Sequence, residues 1–266
     1  MSDRKSGCLM CGKPLQYYET EREMTCVRCG KTFRSNVSCE ESHYICDVCH
    51  AERGAEIILE YCQTSSGKDP IKMVQEMMEH PFIHMHGNEH HIMVGAALIT
   101  AYHNAGGKID RRTALQEMKV RGSKYPGGSC GFWGCCGAAV STGMFLSIVT
   151  GATPLSGKSW GLANRMTAQA LERIGKVGGP RCCKRNSFLA IQAAAEFVEK
   201  NLGIHMEMPK RIQCCFSSEN RQCLKKGCPY YIDSDPRRFP SCIRICLTRP
   251  PIPARGSLTW RYITAC

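Results

Sequence analysis

The sequence predicts a mainly α-helical protein, in which a small zinc-ribbon-like module precedes an α-helical domain with glycine- and cysteine-rich turns. Two observations lead to this prediction. Cysteines in metal-ligand spacing occupy the first 50 residues, and from residue 51 the apolar residues recur with the period of a helix. We expect a metal-binding module over 1–50, a cysteine-rich helical domain over 51–231, and a disordered or unrelated tail over 232–266.

Two copies of a Cys-x-x-Cys-Gly-Lys turn lie near the start of the chain, at residues 8–13 and 26–31. Each turn lets two thiolates bind one ion, and Leu15–Thr25 between them can form short strands. This spacing is typical of a zinc ribbon, although a rubredoxin-like iron site has the same four sulfur ligands. The predicted ligands of this first structural zinc ion are Cys8, Cys11, Cys26 and Cys29.

A second set of soft ligands follows, in the order Cys-x-x-x-His-x-x-Cys-x-x-Cys. The predicted ligands of a second zinc ion are Cys39, His43, Cys46 and Cys49. Together with the second turn, this set resembles the first part of a RING finger. The closing cysteine pair of that pattern is missing downstream, where Cys62 stands alone. We therefore do not infer ubiquitin transfer.

Residues 127–139 read Gly-Gly-Ser-Cys-Gly-Phe-Trp-Gly-Cys-Cys-Gly-Ala-Ala and run into an apolar helical segment. A second glycine-rich turn, at 178–183, also brings a cysteine pair to a predicted helix. Glycine permits close approach, and helix N-termini favour thiolates. We predict one catalytic thiol site, made up of Cys130, Cys135, Cys136, Cys182 and Cys183. The alternative is that small buried cysteines fill the two turns.

Histidines cluster shortly before this stretch. His86, Glu89 and His90 match the His-x-x-Glu-His pattern of one metallopeptidase class. That pattern requires a continuous helix, whereas the intervening Gly-Asn pair predicts a turn with the helix beginning at Glu89. A hydrolase is therefore not expected. We expect His86, together with His90 or His91, to face the thiol site as ligands or proton-transfer groups, because imidazole titrates near neutral pH. The alternative is that these histidines only cap the helix start and form hydrogen bonds.

The remaining pattern is helical, with Asp69-Pro70 and Asp110 as helix starts. The predicted helices cover residues 51–62, 71–79, 89–104, 111–121, 159–174 and 186–202. A last cysteine group, followed by a proline, has a spacing similar to cysteine runs that hold iron–sulfur clusters, with a zinc knuckle as the alternative. Its predicted cofactor-binding residues are Cys214, Cys215, Cys223 and Cys228.

Four of these motifs together resemble an uncharacterised family. They are Met85-His-Gly-Asn-Glu-His-His, Gly128-Ser-Cys-Gly-Phe-Trp-Gly-Cys-Cys-Gly-Ala-Ala, Gly179-Pro-Arg-Cys-Cys-Lys-Arg, and Cys223…Cys228-Pro-Tyr-Tyr. The chain resembles the domain-of-unknown-function family 5714 over roughly residues 35–231. The resemblance implies a host among methanogens or anaerobic bacteria and a cysteine-dependent role. Some members carry the label of methyltransferase dependent on S-adenosylmethionine, but this chain has no Gly-x-Gly-x-Gly after a strand and no Cys-x3-Cys-x2-Cys.

Composition and charge restrict the expected cellular location and partners. The 266 residues include 20 cysteines, carry a formal net charge of +12, and contain no apolar run of membrane-spanning length and no signal peptide at the start. We therefore expect a cytoplasmic protein without a membrane partner. Cytosolic thiols stay reduced, so paired cysteines there bind metal or do chemistry. The basic charge permits an RNA partner without requiring one.

Two classes of function follow. The first is a metal- and cysteine-dependent protein of anaerobic metabolism, with an iron–sulfur cluster or reactive thiolates in redox, sulfur or one-carbon (methyl) transfer chemistry. Its partner would be a small molecule or a sulfur or methyl donor. The second is a zinc-ribbon binding module for RNA or protein, with structural cysteines in the helical domain. The basic residues that favour nucleic acid are Lys13, Arg28, Lys31 and Arg34, but few aromatic residues interleave with them.

Overall fold

The computed structural model describes residues 7–232, so the predicted tail lies outside the described residues apart from its first one. Within this range a small sheet is followed by eight α-helices. The strands are β1 (Leu15–Thr25) and β2 (Thr32–Cys39). The helices are α1 (Asp47–Thr64), α2 (Pro70–Met78), α3 (Glu89–Asn104), α4 (Arg111–Ser123), α5 (Ser129–Phe132), α6 (Gly137–Val149), α7 (Lys158–Val177) and α8 (Cys183–Leu202). The predicted mainly helical class is thus confirmed.

The two strands form an antiparallel hairpin. Leu15 lies opposite Cys39 at the open end, and Thr25 lies opposite Thr32 at the closed end. The pairing is interrupted after Tyr17 and resumes at Arg22, so β1 bulges between these residues. The hairpin turn is the second Cys-x-x-Cys turn, whereas the first turn precedes β1. The two turns therefore lie at opposite ends of the hairpin.

Helix α1 joins the hairpin module to the helical domain, so the predicted boundary after residue 50 falls inside this helix. No helix within residues 7–232 has the length and hydropathy needed to cross a bilayer. Two helix starts have the predicted caps. Asp69 accepts hydrogen bonds from the backbone N–H groups at the start of α2, and Asp110 accepts one from Thr113 at 2.7 Å.

Helix α3 lies at the centre of the helical domain and is buried around nearly its whole circumference, as expected of a helix without a polar face. It packs against α1, α2, α4, α6 and α8. Where α3 meets α6, the Gly95 N–H donates to Ser141 Oγ at 2.8 Å, and this hydroxyl donates to the carbonyl of His91 at 2.6 Å. The contact fixes the first turns of α3 against α6.

A matched pair of glycines tests the packing of α6 on α7. A Cβ on Gly143 of α6 would overlap Thr167 Oγ1 and lie 3.1 Å from the carbonyl oxygen of Ala163, whereas a Cβ on Gly161 of α7 would meet no atom within 4 Å. Gly143→Ala should lower the free energy of unfolding by roughly 1–3 kcal/mol, because the two helices must separate. Gly161→Ala should raise it by about 0.5–1 kcal/mol, because alanine favours a helix more than glycine does.

Guanidinium-induced unfolding of the two variants and the parent protein measures both changes. Equal stability of Gly143→Ala and Gly161→Ala would contradict the close contact of α6 with α7.

Candidate metal centres and cysteine pocket

Eight cysteine and histidine side chains of the N-terminal module form two groups whose geometry suits a metal ion. The first metal group is Cys8, Cys11, Cys39 and His43, and the second metal group is Cys26, Cys29, Cys46 and Cys49. The four ligand atoms of each group lie within 4.8 Å of one another. The sulfur–sulfur distance is 3.8 Å for Cys11–Cys39 and 3.9 Å for Cys29–Cys46. Four sulfurs about 2.3 Å from one tetrahedral ion are roughly 3.8 Å apart, so the spacing fits a closed mononuclear site.

The eight predicted ligands are thus brought together, but the predicted pairing is wrong. The sequence predicts that the two Cys-x-x-Cys turns share one ion. The structure instead places the turn at 8–11 beside Cys39 and His43, and the turn at 26–29 beside Cys46 and Cys49. Seven paired strand positions separate the two turns, a distance of roughly 20 Å at about 3.3 Å per residue. Along the sequence, pairs of residues thus belong alternately to the first and the second metal group, as in the RING-like pattern. Cys8 and Cys11, upstream, provide the cysteine pair that this pattern lacks downstream.

The second metal group is held close to the helical domain by α1. Cys49 and His50 lie in the first turn of this helix, and the His50 ring stacks on His84 with ring centroids 3.6 Å apart. Arg28, inside the second Cys-x-x-Cys turn, donates to Glu56 of α1 at 2.8 Å. A metal ion in the second group would therefore stabilise the start of α1 as well as the hairpin turn.

Double substitutions distinguish the two pairings. Cys11→Ser combined with Cys39→Ser removes two ligands of the first metal group, and should release one metal ion per chain. Cys11→Ser combined with Cys26→Ser damages both groups and should release two, because a site that lacks one thiolate binds metal much more weakly. Elemental mass spectrometry of the desalted proteins measures the metal content. A zinc-ribbon pairing requires the reverse order of losses.

The second candidate site is a pocket of about 100 Å³ in the helical domain. Both glycine-rich turns and the histidine-rich segment before α3 contribute to it. Among the predicted catalytic residues, those that line the pocket are Cys130, Cys136, Cys183, His86, His90 and His91. Three separate segments therefore meet at one place, and the catalytic roles of these residues remain a prediction.

Only one cysteine of each predicted pair lines the pocket. Cys136 and Cys183 line it, whereas Cys135 and Cys182 are absent from its lining. Cys136 is the N-cap of α6, and Cys182 is the N-cap of α8, where its sulfur accepts a hydrogen bond from the Arg185 N–H at 3.4 Å. Helix α8 begins earlier than the sequence predicts, so Cys183 belongs to its first turn.

The pocket thiols are buried, and burial raises their pKa by more than the helix N-termini lower it. Burial raises the pKa of Cys136 and raises the pKa of Cys183 to about 12. Asn186 donates to the Cys136 sulfur at 3.4 Å and acts in the opposite direction, together with backbone N–H groups at the start of α6. Contrary to the sequence-based expectation, the helix N-termini alone do not produce thiolates here. A bound cation would ionise them.

His91 has a defined tautomer. Its Nδ1 lies 3.2 Å from the carbonyl oxygen of Tyr125, and a carbonyl only accepts, so Nδ1 carries the proton. The lone pair is therefore on Nε2, which lies against Gly137, the first residue of α6. A Cβ on Gly137 would overlap the imidazole ring, so glycine is needed for this contact. Burial lowers the pKa of His91 and keeps the ring neutral.

His86 presents a lone pair in the same pocket. Its Nε2 lies 3.3 Å from Asn220 Oδ1, which also accepts from the Gln222 N–H at 2.9 Å and is thereby identified as the amide oxygen. Nε2 therefore donates, and Nδ1 carries the lone pair. Within residues 7–232, His86 Nδ1 is one of two buried side-chain nitrogen or oxygen atoms without a hydrogen-bond partner. Such an atom requires an explanation, and a bound group supplies one.

His90 also lines the pocket, but unlike His86 both of its ring nitrogens lie beside protein partners. It is fully buried, its Nε2 donates to the carbonyl of His84 at 3.0 Å, and its Nδ1 lies 3.4 Å from Ser187 Oγ. These contacts hold the turn before α3 against α8. The Glu89 carboxylate accepts from the His84 N–H at 2.7 Å and also belongs to this turn. Helix α3 begins at Glu89, as predicted, so the His-x-x-Glu-His residues do not share a continuous helix.

The last predicted cysteine group lies in the segment after α8. None of its members lines the pocket, and all are partly buried: Cys214, Cys215, Cys223 and Cys228. The same segment contributes Asn220, which fixes the His86 tautomer. Sequence patterns do not single out Asn220, because its contact with His86 spans 134 positions.

The comparison with known families now adds to this geometry. A family model matches residues 58–231, which is more than half of the chain. The chain belongs to DUF5714, a family of unknown function. No curated protein and no solved structure matches the chain. The DUF5714 region contains the whole pocket and all cysteines from Cys62 to Cys228, whereas both metal groups precede it.

Proposed function

We propose that this protein is a metal- and cysteine-dependent enzyme of anaerobic metabolism, in which Cys130, Cys136 and Cys183 hold an iron–sulfur cluster in the pocket. With three cysteine ligands, such a cluster would leave one iron available to a small substrate that bears sulfur or a sulfur-bound methyl group. In this proposal the two N-terminal metal groups hold structural zinc, because closed sets of four cysteine and histidine ligands are typical of structural zinc sites.

The observation that carries the proposal is the buried lone pair of His86 Nδ1 in a pocket lined by three thiols. The spacing of these groups favours a cluster over a single ion. Within residues 7–232, only the N-terminal metal groups bring three or more ligand atoms within 4.8 Å of one another. In a cluster each thiolate binds a different iron, so wider spacing is expected.

The size of the pocket restricts the substrate. A volume of about 100 Å³ corresponds to roughly three water molecules, so a cluster would fill most of the pocket and only a small group of a substrate could reach it from the pocket opening. The cluster would supply Lewis-acidic iron at the open position. A thiol bound at such a position would have to lose its proton. His86 Nδ1 and His91 Nε2 are both unprotonated and suited to accept that proton.

The pocket supports a class of substrate more directly than a class of reaction. Redox chemistry, sulfur transfer and methyl transfer to or from sulfur can each begin with the binding of a sulfur-bearing group. The pocket therefore supports a substrate of this kind for any of the three reactions.

The alternative function, a binding module for RNA or protein, receives less support. Among the basic residues expected to contact RNA, Lys13 pairs with Glu41, Arg28 with Glu56 at 2.8 Å, and Arg34 with Glu21 at 3.4 Å. These carboxylates offset the positive charge of the module, and phosphate binding depends on that charge.

Anaerobic reconstitution with ferrous iron and sulfide tests the pocket. Cys136→Ala and Cys183→Ala should each lose the same cluster, measured as iron and acid-labile sulfide per chain, and the double variant should lose no more. Cys135→Ala is the matched control, because Cys135 adjoins Cys136 in sequence and is absent from the pocket lining. This control should retain the cluster. Retention of all iron and sulfide in Cys136→Ala and Cys183→Ala would contradict the proposal.

A second measurement tests the open iron. A small alkyl thiol should change the electron paramagnetic resonance spectrum of the reduced cluster, and His86→Ala should weaken this effect roughly tenfold or more, as expected for the loss of one hydrogen bond to a charged group. His205→Ala, a change at an exposed histidine, should leave the thiol response unchanged. A spectrum that is insensitive to thiols would show that no iron is open.

A further inference from the structure

The segment that follows α8 is folded back onto this helix. The Tyr230 hydroxyl donates to Gln192 at 2.5 Å, and its ring packs edge-on against Phe188 with centroids 5.4 Å apart. At the other end of the segment, Phe216 lies beneath the buried ammonium group of Lys184, 4.1 Å from the ring centroid. The segment is therefore held at both ends against the start and middle of α8.

Backbone pairing within this segment brings its cysteines together. The Cys214 N–H donates to the carbonyl of Tyr230 at 2.8 Å, and Cys214 forms a parallel bridge with Tyr231. A 3-10 turn over Lys225–Gly227 then leads into Cys228, whose N–H donates to the carbonyl of Lys225 at 2.8 Å. Cys214 and Cys228 thus lie on neighbouring stretches of chain, with Cys223 between them in sequence.

Cys182 is absent from the pocket lining, and its charge acts on this group as well as on the adjacent Cys183. A negative charge on Cys182 acts on both Cys214 and Cys228 and raises the pKa of each thiol, beyond the larger effect of burial. Cys223 acts on the same two thiols. The four sulfurs therefore share one electrostatic environment, although Cys182 precedes the others by more than thirty residues.

The backbone around these sulfurs is arranged as in the N-terminal metal groups. Cys182 Sγ accepts from the Arg185 N–H and Cys223 Sγ accepts from the Lys225 N–H, both at 3.4 Å. In the first metal group, Cys8 Sγ accepts in the same way from the Met10 N–H, also at 3.4 Å. Backbone N–H groups that point at cysteine sulfurs stabilise the negative charge of bound thiolates.

Two more thiols of the group have this feature. The backbone N–H groups of Phe216 and Tyr230 act on Cys214 and Cys228, respectively, and favour their ionised forms. A positive charge is also present, because the Arg185 guanidinium favours the thiolate of Cys228. Hydrogen bonds from Arg185 to the carbonyls of Gly178 and Pro180, at 2.8 and 2.9 Å, hold this guanidinium in place.

From this arrangement we propose that Cys182, Cys214, Cys223 and Cys228 form a closed iron–sulfur cluster site, separate from the pocket. Four cysteines fill every iron position of such a cluster, so this site has no open position for substrate. A single zinc ion fits less well, because the four sulfurs do not share the 4.8 Å spacing of the N-terminal groups. Cys182 and Cys183 are adjacent, so one peptide bond connects the closed site to the pocket.

This adjacency provides a matched pair of variants. The full chain is reconstituted anaerobically with ferrous iron and sulfide, and iron, acid-labile sulfide and the spectrum of the reduced protein are measured. Cys182→Ala and Cys223→Ala should each abolish the same cluster signal, and the double variant should lose no more than either single variant. Cys183→Ala should retain this signal, and Cys182→Ala should retain the thiol-sensitive signal of the pocket.

Each possible result decides the proposal. Three results would overturn it. They are a loss in the Cys182→Ala and Cys223→Ala double variant that equals the sum of the two single losses, full retention of iron and sulfide in either single variant, and a third zinc ion without sulfide. If only Cys183→Ala loses a cluster, the pocket proposal stands and the closed site is wrong. If only Cys182→Ala and Cys223→Ala lose one, the closed site stands and the pocket proposal is wrong.

Discussion

The contact of three helix starts is the constraint on which the pocket depends. The first turn of α3 packs on α6 through the hydrogen bonds of Ser141, and on α8 through the buried ring of His90. Since the cysteines occupy the starts of α6 and α8, this contact also places their sulfurs beside the histidines before α3. A helix start by itself provides backbone N–H groups but does not fix the positions of the side chains around it. The order here comes from tight packing, which Gly95 and Gly137 permit.

Burial has opposite consequences for the pocket with and without a metal. It raises the pKa of Cys136 and Cys183, so the metal-free pocket holds thiols and neutral imidazoles. The same low polarity strengthens the attraction between a bound cation and thiolates. Buried, protonated thiols are weak nucleophiles, which is why we propose a cluster in this pocket rather than reactive cysteines.

The two parts of the chain use cysteine differently. In the N-terminal module, the four side chains of each metal group are close enough to bind one ion. The hairpin has little apolar core besides Cys26, Cys46 and Cys49 with the aromatic residues around them. Metal binding would supply much of the folding free energy of such a module. The helical domain has a continuous apolar core of its own, so we expect its folding to depend less on metal.

The sequence by itself determined the local features of this protein. Cysteine spacing singled out all eight residues of the two metal groups, and apolar periodicity with Asp and glycine signals located the helices, because both depend on residues close together in the chain. Only the tertiary structure decided which distant residues meet. The hairpin separates the two Cys-x-x-Cys turns and so changes their pairing, and Asn220 reaches His86 across 134 positions. Of the adjacent Cys182 and Cys183, only Cys183 lines the pocket. Local patterns contain no information on such contacts, because the packing of whole helices and strands produces them.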